Sequence, residues 1–477
     1  MPSSNSTSLN KNLSGGIDWL LLAMVLCLSV IGLMMIYAVE YDGVHPKPFY
    51  DFSLSSGKQF IWFGISQFFL LIILVLDWKI WRSLSLILYG FGIFLLILVL
   101  FLGKEINGAK AWFAFGGVSF QPVEIAKLAT CLTLANFLSA YDTSLKEFRS
   151  RTIAIALIFL PVFFIMLQPD AGSSLVFMSF FILLFREGIN PIYYIIAAIL
   201  VALFVLSLVF EANYVILGLS WLVVSILFFN HNFSNSIYSK IGFIVISIFG
   251  IYFLRYESNL FIIFSIITAV LLILLAVMLL LKGEFKIVIP TLIAYLIGSL
   301  FVFTANYSFN NFLQPHQQER INVWLKPDKC DPRGSLYNVL QSKMAIGSGG
   351  LQGKGYLDGT MTKLNFVPEQ STDFIFCTIG EEQGFIGVIA VIIIYVILLL
   401  RIITIAERQK FSFGRYYAYG VSGILFTHFL INIGMTMGLM PIIGIPLPFI
   451  SKGGSSLLGF TVLIGILMKI DSDRNKT

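Results

Sequence analysis

Charged side chains are scarce in this 477-residue chain, so the few that interrupt its apolar runs mark where chemistry could occur. Glu124 and Lys127, in NGAKAWFAFGGVSFQPVEIAKL (107–128), stand three apart at the start of an apolar run, which puts them on one face of a helix. Such a pair can close a helix end as an ion pair. It can also line a water-filled path, the usual setting of ionisable groups inside a membrane. Asp170 follows Pro169 between two apolar runs in LQPDAGSSL (167–175), where it could serve as a helix N-cap. Two more aspartates, Asp328 and Asp331, lie three apart in PDKCDPRGSLYNVLQSKMAIGSGG, which begins at Pro327. Asp331 opens Asp-Pro-Arg-Gly, whose proline fixes the backbone and whose glycine permits a tight turn, so its carboxylate can be held in place. A held carboxylate can act as a general base; the alternative is that it only caps the turn.

Other signals are weaker. Glycines at 347, 349, 350, 353 and 355 suggest a phosphate loop, but Lys354 is followed by Gly355 rather than Ser or Thr, and no strand precedes it. GIPLPFISKGGSSLLG (444–459) is broken by proline and glycine before the last apolar run, and irregular backbone at membrane depth is tolerated where it lines a cavity. Trp112 fits an interfacial anchor. Of four cysteines, Cys27, Cys131 and Cys377 lie in or beside apolar runs and Cys330 in a polar stretch, with neither a disulfide framework nor metal-ligand spacing.

The elements that must position these residues follow from composition. Hydrophobic residues make up 58%, charged residues 12%, and mean hydropathy is +0.90. A soluble domain is about one quarter charged. The apolar runs are long and continuous, without the alternation of a membrane barrel, so the expected fold is an all-α polytopic membrane helix bundle. Runs near 18–38, 59–76, 83–102, 122–140, 152–167, 171–185, 191–210, 213–230, 241–255, 259–281, 287–305, 374–400, 416–440 and 454–469 predict about fourteen crossings. Residues 1–17 and 471–477 read as cytoplasmic tails. With that orientation most Lys and Arg fall in cytoplasmic loops, as the positive-inside rule requires, and the polar stretch 307–373 faces outward. That stretch is too long for a connector and carries Trp324, Tyr337, Phe366 and other apolar residues, so it is expected to fold back onto the bundle. A net charge of +6 from scattered residues excludes a nucleic-acid face.

Four segments, 107–128, 167–175, 319–387 and 432–458, resemble signature motifs of the SEDS family (shape, elongation, division and sporulation) in the family's order. GKGYLDGT and LNFVPEQ are closer to the cell-elongation branch than to the division branch. On this resemblance, 18–190 and 374–470 are the two parts of the family bundle, 307–373 is an extracytoplasmic catalytic loop, and 191–306 adds about four crossings. Lys452 stands where the family usually has Tyr, and Ser371 where it often has His.

The resemblance implies a peptidoglycan glycosyltransferase of the bacterial cytoplasmic (inner) membrane. It would polymerise lipid II with inversion at the donor sugar, in partnership with a class B penicillin-binding transpeptidase, among membrane lipids and without nucleic acid. Asp331 then matches the family's catalytic aspartate, the base for the acceptor's 4-hydroxyl. Candidate contacts for the substrate and its diphosphate are Lys110, Trp112, Arg320, Lys343, Lys354 and Lys363. Further contacts are Glu124, Lys127, Asp170, Glu369 and Asp373. The sequence requires no cofactor; a Mg or Mn ion bridging the diphosphate is chemically sensible, though no metal-ligand cluster demands one. A lipid II flippase or other transporter without chemistry would share the crossings and broken helices. The absence of a visible repeat, and the charges gathered in one loop, favour the enzyme. A scaffold for cell-wall machinery explains the partner but not the loop's carboxylates.

Overall fold

The computed structural model describes residues 16–42, 45–106, 108–115, 118–140, 143–230, 258–331 and 334–474. Its helices are α1 (Trp19–Glu40), α2 (Ser55–Val75), α3 (Trp78–Leu102), α4 (Pro122–Leu138), α5 (Phe148–Leu167) and α6 (Ala171–Phe177). They continue as α7 (Phe180–Arg186), α8 (Pro191–Val209), α9 (Ala212–Asn230), α10 (Ser258–Leu281), α11 (Phe285–Asn311) and α12 (Pro315–Leu325). The last are α13 (Ser335–Ser348), α14 (Thr360–Lys363), α15 (Ile375–Glu407), α16 (Ser412–Thr436) and α17 (Gly454–Ser472). Among the described residues, 11 helices are long and apolar enough to cross a membrane. The expected run at 171–185 is two short helices, α6 and α7, and the one at 241–255 lies outside the described residues.

Helix starts follow local chemistry. Asp18, Asp77, Asp170 and Asn190 each accept a backbone N–H of the helix they precede, at 2.9–3.0 Å. Pro122, Pro191 and Pro315 occupy first-turn positions, where a missing N–H costs nothing. The outer helices expose apolar side chains such as Phe68, Leu71, Val75, Leu86 and Ile87, as a lipid-facing surface must. In α16 and α17, by contrast, 78% of the apolar window is buried, so these two helices form the centre.

Composition argues against spanning strands, and the structure adds a small sheet between α3 and α4. Strands β1 (Lys104–Ile106), β2 (Ala109–Phe115) and β3 (Val118–Phe120) form an antiparallel meander, with Lys104 opposite Trp112 and Phe113 opposite Phe120.

Asn190–Lys329 makes one compact unit, and the residues before and after it make another. In the first, apolar side chains of α9, α10 and α11 pack together around Leu227, Leu279 and Val288, and Asn306 Nδ2 donates to Ser207 O at 3.1 Å. The stretch expected to be loop from 307 begins inside α11. Asn310 and Asn311 carry that helix on, each donating its side-chain amide to the carbonyl four residues earlier, at 2.9 and 2.8 Å. Much of the remainder is helical too, in α12, α13 and α14.

Candidate functional site

Between α16 and α17 the chain cannot be helical: Pro441, Pro446 and Pro448 lack donors, and Gly438 and Gly444 take φ of +72° and +75°. Its backbone is packed against three other places. A Cβ on Gly172, two residues after Asp170, would lie 2.6 Å from Ile443 O. A Cβ on Gly444 would lie 3.2 Å from Asp373 Oδ2. Ile445 O accepts Asn432 Nδ2 at 2.7 Å, and Pro446 O partners His428 Nδ1 at 3.0 Å. His428 and Asn432 share a face of α16, being four apart. The Asn432 amide also donates to Asp373 O at 2.8 Å. Residues 443–446 therefore join the Asp170 turn, the Asp373 stretch and the centre of α16.

Beneath lies a buried charge cluster. Lys127 Nζ is 2.9 Å from Glu124 Oε1 and 3.1 Å from His428 Nε2, with the Phe460 ring centroid 5.1 Å away. Lys127 is 2% exposed and Glu124 5%. A carboxylate and a cation so placed stabilise each other only as a set, since either alone would be a buried uncompensated charge. Among the described residues Glu124 Oε2 has no hydrogen-bond partner, and it lies where a Cβ on Gly459 would approach to 2.9 Å. Asp170 is not part of this cluster's bonding: it accepts from Ser173 Oγ at 2.7 Å and Gln121 Nε2 at 3.2 Å. Glu124 and Lys127 are thus an ion pair joined by His428, and Asp170 is an N-cap bound to its own neighbours.

The glycine run is a structural device. Helix α15 breaks at Gly384 (φ 65°, ψ −163°), and the loop supplies the missing partners. Lys354 N and Gly355 N donate to Glu381 O and Glu382 O, both at 3.0 Å, and Phe385 N donates to Gly350 O at 2.9 Å. Glu381, wholly buried, then fastens the chain beyond the glycines. It accepts Lys354 Nζ at 2.6 Å, the N–H groups of Met361 and Thr362 at 2.8 Å, and Thr362 Oγ1 at 2.7 Å. Lys354, expected at the substrate, is therefore taken up by Glu381.

Asp331 is exposed, just before α13, and its carbonyl accepts Gly334 N at 3.1 Å, the turn its sequence predicts. Lys343 is exposed on α13, with its ammonium 2.7 Å from where a Gly438 Cβ would sit. Lys363 is 3.5 Å from Asp358. Glu369, at φ +55°, accepts Thr372 Oγ1 at 2.9 Å. Lys110 Nζ donates to Phe101 O at 3.2 Å, and Trp112 is half-buried beside it on β2. Arg320 belongs to the Asn190–Lys329 unit and Asp331 to the other. Among the described residues no three His, Cys, Asp or Glu side chains come together to hold a metal, so the residues present do not fit a protein-held ion.

Sequence reasoning passed over His428, Asn432, Glu381 and Glu382. Each had a signal: two adjacent glutamates in IGEEQG, and a histidine four residues before an asparagine inside apolar runs.

Fold and site together define a polytopic helical membrane protein whose irregular segment and polar stretches gather at one end of a helix bundle. Residues 18–247 and 265–476 match the FtsW/RodA/SpoVE family model, described as cell cycle proteins, and the chain belongs to this family, the SEDS family. The match runs through most of 191–306, further than the four motifs carry it. The chain is 31% identical over 469 residues to the peptidoglycan glycosyltransferase RodA of Treponema pallidum, covering 95% of this chain and 97% of that one. It is 32% identical to the peptidoglycan glycosyltransferase MrdB of Escherichia coli, covering 81% and 77%. Among solved structures, a chain of a peptidoglycan synthase complex that coordinates polymerization and crosslinking matches at TM-score 0.62 and 25% identity, covering 97% and 99%. The crystal structure of Thermus thermophilus RodA matches in fold at TM-score 0.56 and 22% identity, with the same coverage.

Proposed function

We propose that this chain is a peptidoglycan glycosyltransferase that polymerises lipid II at the outer face of the bacterial cytoplasmic membrane. The observation that carries the reading is the convergence on residues 443–446 of Gly172 beside Asp170, Asp373, Asn432 and His428, above the buried Glu124–Lys127 pair. The relatives named glycosyltransferases, matched over most of the chain, supply the reaction class.

In this reading the acceptor's 4-hydroxyl loses its proton to Asp331 as it attacks the donor's anomeric carbon. The carbon–oxygen bond to the lipid diphosphate breaks on the opposite face, with inversion. Asp331 suits the role because a backbone bond, Gly334 N donating to its carbonyl, fixes the turn that carries it. Lys343 and Lys363, exposed, supply charge for the departing diphosphate. No step is assigned to a metal ion. Positive-inside charge supports cytoplasmic termini and an outward 307–373 stretch. A class B penicillin-binding transpeptidase is the expected partner, in keeping with the synthase complex among the structural matches.

The test is purified protein with labelled lipid II, with and without such a partner. Glycan strands in either arm support the reading. Translocation of lipid II across vesicles without polymer in both arms would replace it with a flippase.

A further inference from the structure

Lys452 and Ser371, the two positions at which the chain departs from the family pattern, meet at one backbone hydrogen bond, Lys452 N donating to Ser371 O at 2.9 Å. The Lys452 side chain is half-buried, and its Nζ donates to the neutral Ser55 Oγ at 2.5 Å. Among the described residues no Asp or Glu forms an ion pair with it. Glu40, one hydrogen bond further on, accepts Ser55 N at 2.5 Å at the start of α2. The ammonium and that carboxylate therefore meet at Ser55 without a direct ion pair between them.

The platform under Lys452 is fixed from several sides. Gly453 N donates to Gln59 Oε1 at 3.1 Å, and Ser451 Oγ donates to Thr372 O at 2.6 Å. Gly454 lies so close to Trp62 that a Cβ would sit 2.2 Å from the indole. The next residue after Thr372 is Asp373, which borders Gly444. A half-buried ammonium with no carboxylate bonded directly to it has lost part of its hydration and gains a charge-assisted partner when an anion arrives. Ser371 carries no charge, so of the two departures only Lys452 brings a cation to this junction.

We propose that Lys452 is a substrate-specificity residue that contacts the diphosphate of the lipid-linked substrate, an assignment resting on the polymerase reading above. The ligand chemistry is a prenyl diphosphate: the anion meets Lys452, and the tail follows the apolar surface of the bundle.

The experiment uses the full chain in detergent and two readouts. Binding of farnesyl diphosphate, inorganic diphosphate and farnesol is measured for wild type, Lys452→Met, Lys452→Tyr and Lys452→Arg. The lipid II KM and kcat are measured for the same set. The Met and Tyr variants are expected to weaken farnesyl diphosphate binding and raise KM by about tenfold, with kcat changed less than about threefold, and Arg to restore most of both. Farnesol binding should not move. KM and farnesyl diphosphate affinity within about twofold of wild type in both Met and Tyr variants would overturn the proposal. So would inorganic diphosphate binding as tightly as farnesyl diphosphate, which marks a free-anion site. If Lys452→Met fails to fold, Lys452→Gln, which keeps a donor to Ser55, takes its place. A wild-type protein that makes no polymer yet binds farnesyl diphosphate through Lys452 sinks the polymerase reading and leaves the anion contact standing.

Discussion

Lys127 and His428, 301 residues apart in sequence, meet at 3.1 Å in the centre of the bundle, and their contact fixes the histidine's tautomer. An ammonium has only donors, so His428 Nε2 accepts. Nδ1 then carries the proton and donates to Pro446 O at 3.0 Å. The charge on α4 is thereby connected to the irregular segment before α17.

Removing one member of the buried pair leaves the other uncompensated. Lys127→Met is expected to destabilise the protein by about 3–5 kcal/mol, and the double variant Glu124→Gln/Lys127→Met by less than the sum of the singles. Thermal unfolding of the four proteins in detergent measures the coupling; additive losses would count against it. Glu124→Gln alone should still insert into the membrane but polymerise more slowly.

Asp331→Asn keeps the size of the side chain and the Gly334 N to Asp331 O turn bond, so folding should be unchanged. Turnover of lipid II should fall by about 10²–10⁴-fold if Asp331 is the base. A rate within a few-fold of wild type would move the assignment to Asp328.

Glu381→Gln weakens the fastening of residues 354–362 while leaving the glycine backbone bonds intact. The expected result is a loss of about 3 kcal/mol, with new protease cleavage between Gly355 and Lys363. Limited proteolysis with mass mapping reads this directly, and an unchanged digest would mean the loop is held by its backbone alone.

Two glycines offer opposite outcomes. A Cβ on Gly32 would lie 2.6 Å from Ile450 O, against backbone that must shift, so Gly32→Ala should cost about 1–3 kcal/mol. Gly64 on α2 has nothing within 4 Å, and Gly64→Ala should gain about 0.5–1 kcal/mol. Melting temperatures that move the same way in both variants would contradict the packing described.

Asp18 gives a pH dependence at the other end of α15. Burial raises its pKa, but hydrogen bonds from Arg401, Leu21 N and Arg408 outweigh burial and hold it below its ordinary 3.8. A lowered carboxylate pKa stabilises the fold fully above the unfolded value and loses that contribution as pH falls from about 4 through the folded value. Stability measured from pH 6 to pH 2.5 should decline at the acid end in wild type, and less steeply in Asp18→Asn.

The helices were legible because each described apolar run is a physical requirement of crossing lipid, and Asp18, Asp77, Asp170 and Asn190 announce where helices begin. The Glu124–Lys127 pair was legible from its three-residue spacing alone. His428 was not, because its partners lie 301 and 18 residues away, and no local pattern encodes a contact made by packing. The partner of Lys354 was hidden for a related reason: its charge shows in the sequence, but the glutamate that pairs with it lies 27 residues on. The helical start of the 307–373 stretch was missed because Asn306, Asn310 and Asn311 look like loop residues, yet bond along a helix.

Residues 443–446 impose a register on the whole region. Four consecutive residues face three separate parts of the chain, the Gly172 turn, Asp373 and one face of α16, so deleting one of them would offset every later contact by one position. The length of this segment is therefore as constrained as its composition. Related chains should vary between α16 and α17 by substitution, and accept insertions only on the Met437–Ile442 side, before the first of those contacts.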